Sequence, residues 1–330
     1  DPNSGAVIIH VKSSGVCTTD ESLATGILDH HPIPSVLGHE GSGVVIDVGP
    51  GVSNVVQGDH VVMAPIAPCG QCARCMNQEG AYCEREERRG WGILPDGRTP
   101  LTDKDGNGVA IGFNTGFYSD YAVVPSTAVA KIPKDVPFEI ASLLGCAVVS
   151  GYGAVVNTAQ VQVSQSTLIV GLGGVGLSAV MAAKLRGAYP IIGVDTNKER
   201  LNELVNLFED KVKCELSTKE SIDKYAIESD LIIGAVLIPG AKAPKLLTKN
   251  SLKRLKNRCV IVDIAIDQGG CFETSKPTTH DEPTYKVNDV VHYCVANMPG
   301  GVARTSTIAL TNCTLPYAIK IANNPIETLF

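Results

Sequence analysis

The sequence predicts an α/β protein: a β-rich, barrel-like region over residues 1–150, then a doubly wound parallel sheet over residues 151–330. Two changes of rhythm carry this. In the first region short apolar or alternating runs ("AVIIHVKSSG", "GSGVVIDVG", "DHVVMAP", "SDYAVVP") are broken by turn residues, as in a small barrel. From about residue 151 the order becomes strand, helix, strand: "STLIVG", then "GVGLSAVMAAKLRG", then "PIIGVD". Later apolar runs, "DLIIGAV", "CVIVDIA" and "VVHYCVA", read as further strands, so the sheet is parallel with helices on both faces. A last helix is expected around "TSTIALTNCTLPYAIKIAN", kinked or restarted at Pro316.

Composition agrees with two packed domains. The chain has 330 residues, 44% hydrophobic and 19% charged. A net charge of −6, spread along the chain, argues against nucleic acid or an anionic membrane as the main partner. No apolar run approaches the ~18 residues of a membrane helix. The opening "DPNSGAVIIH" has neither a Met nor the basic region of a signal peptide, and reads as a truncated or cut start. Eleven cysteines in such a chain point to metal ligands and reduced core residues in the cytoplasm, not to a disulfide framework.

The strongest local signal is Cys69-x2-Cys72-x2-Cys75-x7-Cys83. Four thiolates so close together can enclose one tetrahedral Zn²⁺ in a closed structural site and order a polar loop. An iron–sulfur cluster is the weaker rival, because the bacterial spacing ends in C-x3-C-P. The second signal is Gly171-Leu172-Gly173-Gly174-Val175-Gly176, after a strand and opening a helix, with the next strand ending in Asp195. This is the context of a dinucleotide fingerprint. The glycines admit a pyrophosphate to a helix N-terminus, and the Asp195 carboxylate accepts ribose hydroxyls and repels a 2′-phosphate, so NAD is expected over NADP. The third signal is dispersed: Cys17 and Thr19 in "GVCTTD", His39 and Glu40 in "GHE", and Cys146 in "LLGCAVVSGYGAV". Spacing does not unite these five, and each alone reads as a core or loop residue.

Residues 1 to about 205 resemble the zinc-dependent medium-chain alcohol dehydrogenases. The resemblance runs through "GVCTTD", "GHEGSGVVIDVGPGV", "GDHVV", "CGQCARC", "GLGGVGLS" and "VDTNK" in the family's order. It implies a Rossmann-type nucleotide domain preceded by a partial GroES-like catalytic domain, lacking one or two N-terminal strands. It also implies a catalytic zinc on Cys17, His39 and Cys146, with Glu40 close behind, beside the structural zinc on Cys69, Cys72, Cys75 and Cys83. Such a site acts on an alcohol or aldehyde: zinc lowers the alcohol's pKa, Thr19 accepts its proton and relays it through the ribose towards solvent, and hydride passes to NAD. Two positions depart from the family. Ser22 stands where several members end their proton relay in His, and Thr18 where a basic residue often meets the pyrophosphate.

From about residue 225 to 323 the chain resembles alanine dehydrogenase instead. The matching text is "DLIIGAVLIPGAKAPKLLTK", "VIVDIAIDQGGCFETSKPTTHDEPTY" and "VVHYCVANMPGGVARTSTIALTNCTLPYAIKIAN". This implies that Asp267 is an active-site acid and that Ile266, Asn297 and Met298 line the nicotinamide and ribose region. It leaves His280 and His292 structural or superficial, and Cys271, Cys294 and Cys313 reduced packing residues. The chain thus reads as a composite, joined near Asp195 to Phe208, where both families have a parallel nucleotide-binding sheet. The domain that carries the alanine dehydrogenases' substrate clamp is absent, and so is the segment that completes the alcohol dehydrogenase catalytic domain. Zinc- and NAD-dependent alcohol oxidation is the first expectation. Alanine oxidation and an incomplete zinc- and NAD-binding protein are the alternatives. Both resemblances imply a homo-oligomer.

Overall fold

A computed structural model describes residues 5–26, 34–63, 65, 67–77, 80, 83–84, 92, 99, 101–238 and 241–296. Asn297, Met298, Cys313, Pro316 and the expected last helix lie outside these residues. The chain divides into two compact units with the break between Val149 and Ser150.

The first unit is built on an antiparallel sheet, and its Val/Ile-rich runs suit such a half-buried pleated surface. Strand β1 (Ala6–Gly15) leads into the short helix α1 (Thr18–Ala24). After β2 (Ser35–Val36) come β3 (Glu40–Val48) and β4 (His60–Met63). One turn of helix, α2 (Ala73–Met76), precedes β5 (Leu101–Thr102) and β6 (Gly108–Ile111). Then follow β7 (Tyr121–Pro125), β8 (Val129–Lys131) and α3 (Phe138–Ser142). The main sheet runs β7-β1-β3-β4-β8, and β2-β6-β5 form a small second one. Its core gathers Val7, Ile9, Val45, Val61, Met63, Phe117 and Val124. Phe117 packs so closely on β3 that a Cβ on Gly41 would lie 2.2 Å from its ring, which is why that position is glycine.

Helix α4 (Ala147–Gly153) leads to the second unit. There β9 (Thr167–Val170), α5 (Gly174–Leu185) and β10 (Ile191–Asp195) reproduce the expected strand–helix–strand. Helix α6 (Lys198–Phe208) starts where the Asn197 side chain accepts the Glu199 and Arg200 amides, an ordinary N-cap. Next come β11 (Lys213–Leu216), α7 (Lys219–Glu228) behind a Thr218–Ser221 capping box, and β12 (Leu231–Gly234). Helix α8 (Lys249–Leu252), β13 (Val260–Asp263), β14 (Thr284–Val287) and β15 (Val290–Tyr293) complete the unit.

The strand order β11-β10-β9-β12-β13-β15-β14 is that of a Rossmann sheet, with its topological switch point between β9 and β12. Neighbours from β11 to β15 pair parallel, and β14 closes the edge antiparallel to β15. Strands β9 and β12 are buried along their whole length, which explains their unbroken apolar runs. Leu168, Val170, Ile192, Val194, Ile232 and Ile261 form one core with Tyr225, Leu252 and Phe272. Each such side chain contributes roughly 1.5–3 kcal/mol by leaving water, and four-residue strands depend on that burial. Among the described residues no single helix is long and apolar enough to cross a membrane.

Candidate active site

The dispersed residues of the first unit meet because of strand register. β1 and β3 pair antiparallel with Gly15 opposite Glu40. Cys17, two residues past the end of β1, and His39, one residue before β3, are therefore delivered to the same sheet end. Bulges between Ile8 and Ile9 and between Val11 and Ser13 bend β1 on its way there. Cys146 arrives through its neighbour: a Cβ on Gly145 would lie 2.7 Å from the Met63 carbonyl and 3.3 Å from that of His39. Only glycine lets this segment lie on the backbones of β3 and β4. The ligand atoms of Cys17, His39 and Cys146 lie within 4.8 Å of one another.

The surrounding charges suit a cation. His39 Nδ1 lies 2.9 Å from Asp20 Oδ2, but neither buried ring nitrogen makes a well-aligned hydrogen bond. Asp20 is itself buried, accepting the Gly38 amide at 2.9 Å and the Tyr118 hydroxyl at 3.1 Å. Burial pushes the His39 imidazole down, yet Asp20 and Cys17 together raise it to about 10. The hydrogen bond with Cys146, with help from His39 and against burial, holds the Cys17 thiol down at about 4. The chain alone thus favours the thiolate of Cys17 and the protonated ring of His39 beside Asp20. A zinc ion would take over that positive charge, leaving a neutral imidazole as ligand. Two sulfurs and a buried, poorly partnered imidazole nitrogen fit a three-ligand zinc.

Glu40 stands outside this trio. Its Oε1 accepts the Ala147 amide at 2.8 Å, and burial raises its carboxyl to about 7. Thr19 Oγ1 is 3.6 Å from Cys17 Sγ. Nothing in "GVCTTD" distinguishes the buried Asp20 from an ordinary helix-opening acid.

Cys69, Cys72, Cys75 and Cys83 form a second cluster, again with sulfurs within 4.8 Å of one another. Backbone amides donate to the sulfurs: Cys72 to Cys69 at 3.3 Å, Cys75 to Cys72 at 3.4 Å, and Cys69 to Cys83 at 3.3 Å. Such donors favour thiolates, and Cys72 falls to about 6 through the amides of Glu84 and Cys75. Burial instead lifts Cys75 to about 12. Cys69 and Cys75 sulfurs are 3.8 Å apart. A regular tetrahedron with Zn–S bonds of about 2.3 Å has an edge of about 3.8 Å, so the lobe fits zinc.

In the second unit two of the fingerprint glycines are required by close backbone approach. Gly171 has φ +92°, and its Cβ would lie 2.5 Å from the Ala235 carbonyl. A Cβ on Gly176 would lie 1.9 Å from the Gly171 carbonyl, so this glycine lets α5 pack onto the turn. Gly173 has open space within 4 Å, and Gly173 and Gly174 are exposed at the start of α5, with Val175 partly covered. A helix start leaves its first amides without intrahelical acceptors, so this opening suits an anion. Asp195 closes β10 as expected, and it also ties the turn: Oδ2 accepts the Leu172 amide at 2.7 Å and Oδ1 that of Asn197 at 2.9 Å. The second lone pair on each oxygen remains for ribose hydroxyls.

The loop "AIDQGGCFETS" leaves β13 as a short 3₁₀ turn, Ile264–Gln268. Asp267 is exposed there, whereas Ile266 is buried to 4% exposure and belongs to the packing beneath the loop. The buried acid is Asp263, at the end of the apolar strand β13, where the sequence alone gives no sign of its role.

The sequence model of the alanine dehydrogenase/PNT C-terminal domain matches residues 143–330, and that of the alcohol dehydrogenase GroES-like domain matches residues 3–134. The first begins well upstream of residue 225 and so takes in the glycine turn. An alcohol dehydrogenase class-3 of Cereibacter sphaeroides is 40% identical over 200 residues, 60% of this chain and 53% of that protein. An alanine dehydrogenase of Staphylococcus epidermidis is 55% identical over 163 residues, 49% of this chain and 44% of that protein. The chain spans about half the length of the curated relatives it matches. Among solved structures, an alcohol dehydrogenase zinc-binding domain protein from Burkholderia ambifaria superposes with a TM-score of 0.73 at 28% identity, covering 96% of this chain and 83% of the other. Benzyl alcohol dehydrogenase of Acinetobacter calcoaceticus gives 0.73 at 26%, with 96% and 84% covered.

Proposed function

Because the chain belongs to the alanine dehydrogenase/PNT C-terminal domain family over its second half and carries the alcohol dehydrogenase GroES-like domain in its first, we propose that it is a zinc- and NAD-dependent alcohol dehydrogenase. One observation carries the choice: the Cys17, His39 and Cys146 ligand atoms lie within 4.8 Å of one another. When bound, zinc supplies Lewis acidity at the substrate oxygen and NAD exchanges hydride with the substrate carbon. The protein's own part is to hold and orient them. Cys17, His39 and Cys146 grip the metal, and Asp20 orients His39 from behind. The Thr19 hydroxyl would accept the alcohol's proton while passing its own through the cofactor ribose towards solvent. The Gly171–Gly176 turn seats the pyrophosphate, and Asp195 holds the adenosine ribose.

Metal analysis with an alcohol panel tests this. Two zinc per chain and NAD reduction are expected, with one zinc and no turnover in Cys146→Ser. One zinc in the unaltered protein and no alcohol oxidised would sink the reading.

A second reading, oxidative deamination of L-alanine to pyruvate, is favoured by the 55% identity to an alanine dehydrogenase and by the exposed Asp267. Ammonia-dependent reduction of pyruvate would promote it. Binding of zinc and NAD without turnover on either panel would leave a catalytically incomplete binding protein. We further propose a cytoplasmic homo-oligomer, to be tested by light scattering and fractionation.

A further inference from the structure

Asp263 is the least exposed acid in the second unit's described residues, at 0%, and it sits at the end of β13. None of the described ion pairs neutralises it. A buried carboxylate without a cation is costly unless donors surround it. Here the donors all come from the far side of one loop. The Cys271 amide donates to Oδ2 at 2.8 Å, the Cys271 thiol to Oδ1 at 3.3 Å, and the Ser275 hydroxyl to Oδ2. Between them the chain makes a closed circuit, leaving the strand at Ile264 and returning at Cys271. Two consecutive left-handed glycines, Gly269 (φ +86°) and Gly270 (φ +73°), turn it back. Outside the loop, the Lys245 ammonium donates to the carbonyls of Gly269 at 2.7 Å and Gly270 at 2.5 Å. The circuit carries Ile266 and Asp267 and is pinned from within by Asp263 and from outside by Lys245.

The sheet order says which part of a dinucleotide this loop would meet. Asp195, on β10, marks the adenosine side of the switch point. β12 and β13 lie on the opposite side of β9, where the second mononucleotide of a doubly wound fold is held. We propose that Asp263 is a positioning residue for the nicotinamide half of the cofactor, setting the height of the Ile266–Asp267 turn at the end of β13. This deepens the NAD reading above and rests on it.

Fluorescence titration with NADH and calorimetric titration with ADP-ribose, which lacks the nicotinamide, separate positioning from general damage. The Asp263→Asn side chain keeps its shape but offers an amide N–H₂ to groups that are themselves donors. It is expected to weaken NADH binding about tenfold, the equivalent of one charge-assisted hydrogen bond, with ADP-ribose affinity within about twofold of the unaltered protein. Ser275→Ala and Lys245→Met each loosen one tether and are expected to weaken NADH alone by about threefold. If Asp263→Asn does not fold, these two variants decide. Equal losses for both ligands would mean that Asp263 merely stabilises the unit, and unchanged NADH affinity would mean that it positions nothing; either overturns the proposal. An unaltered protein that binds neither ligand refutes the NAD reading itself.

Discussion

Gly176→Ala gives a sharp test of the dinucleotide turn. The added Cβ would lie 1.9 Å from the Gly171 carbonyl oxygen, against a closest ordinary approach near 3.0 Å. The turn and the start of α5 must therefore separate by about 1 Å. Both are backbone, so no side chain can swing away. Overpacking of this kind costs about 1–3 kcal/mol. In a unit of this size that lowers the melting temperature by roughly 2–4 °C per kcal/mol. The displaced amides would also miss the pyrophosphate, weakening NADH by about tenfold or more. Gly173→Ala makes the contrast. Its φ of −74° suits any residue and its Cβ meets nothing within 4 Å, so the melting temperature should stay within about 1 °C. The same Cβ occupies the space a pyrophosphate would use, so NADH affinity should still fall. Differential scanning calorimetry with NADH titration reads both. A Gly176→Ala protein as stable as the original, or a Gly173→Ala protein that binds NADH normally, would refute the account of the turn.

Three further outcomes follow from the same geometry. Asp20→Asn removes the carboxylate behind His39 and should weaken zinc at the Cys17 site about 10–100-fold, measured by chelator competition, while the four-cysteine site keeps its metal. Cys75→Ser should release one zinc per chain and expose the 69–83 lobe to proteolysis; an intact lobe without metal would count against a structural zinc. Burial holds the His292 imidazole below its usual 6.5. The unfolded chain therefore takes up this proton first, so stability should fall as pH drops below about 6.5 and level off below the folded pKa. His292→Gln should flatten that part of the melting-temperature profile; an unchanged acid slope would exclude His292 as its source.

What could be read from the sequence was what lies in contiguous runs. The strands β9, β10, β12, β13 and β15, the glycine turn and the four-cysteine lobe are each written within a few residues. The strands β11 and β14 were not, because "KCEL" and "TYKV" are edge strands without an apolar run. Cys17, His39 and Cys146 were joined by resemblance alone. Their meeting depends on the Gly15–Glu40 register and on the bare backbone of Gly145, and neither leaves a local pattern. Asp20 and Asp263 were missed for a related reason. An acid in a sequence reads as solvated until packing buries it, and then its donors, such as Gly38 or Cys271, come from elsewhere in the fold.

The two sulfur clusters differ in how far apart their donors stand along the chain, and this would set the order in which the proposed sites load metal. Cys69 and Cys83 are 14 residues apart, and Cys17 and Cys146 are 129 apart. Closing the longer loop in an unfolded chain costs about 2 kcal/mol more, before the further requirement that β1 and β3 have paired. With zinc at both proposed sites, a nascent chain would capture it in the short lobe while most of the chain is still unfolded. The Cys17 site would gain its affinity only after the sheet has closed, so its occupancy would report on the fold of the whole unit.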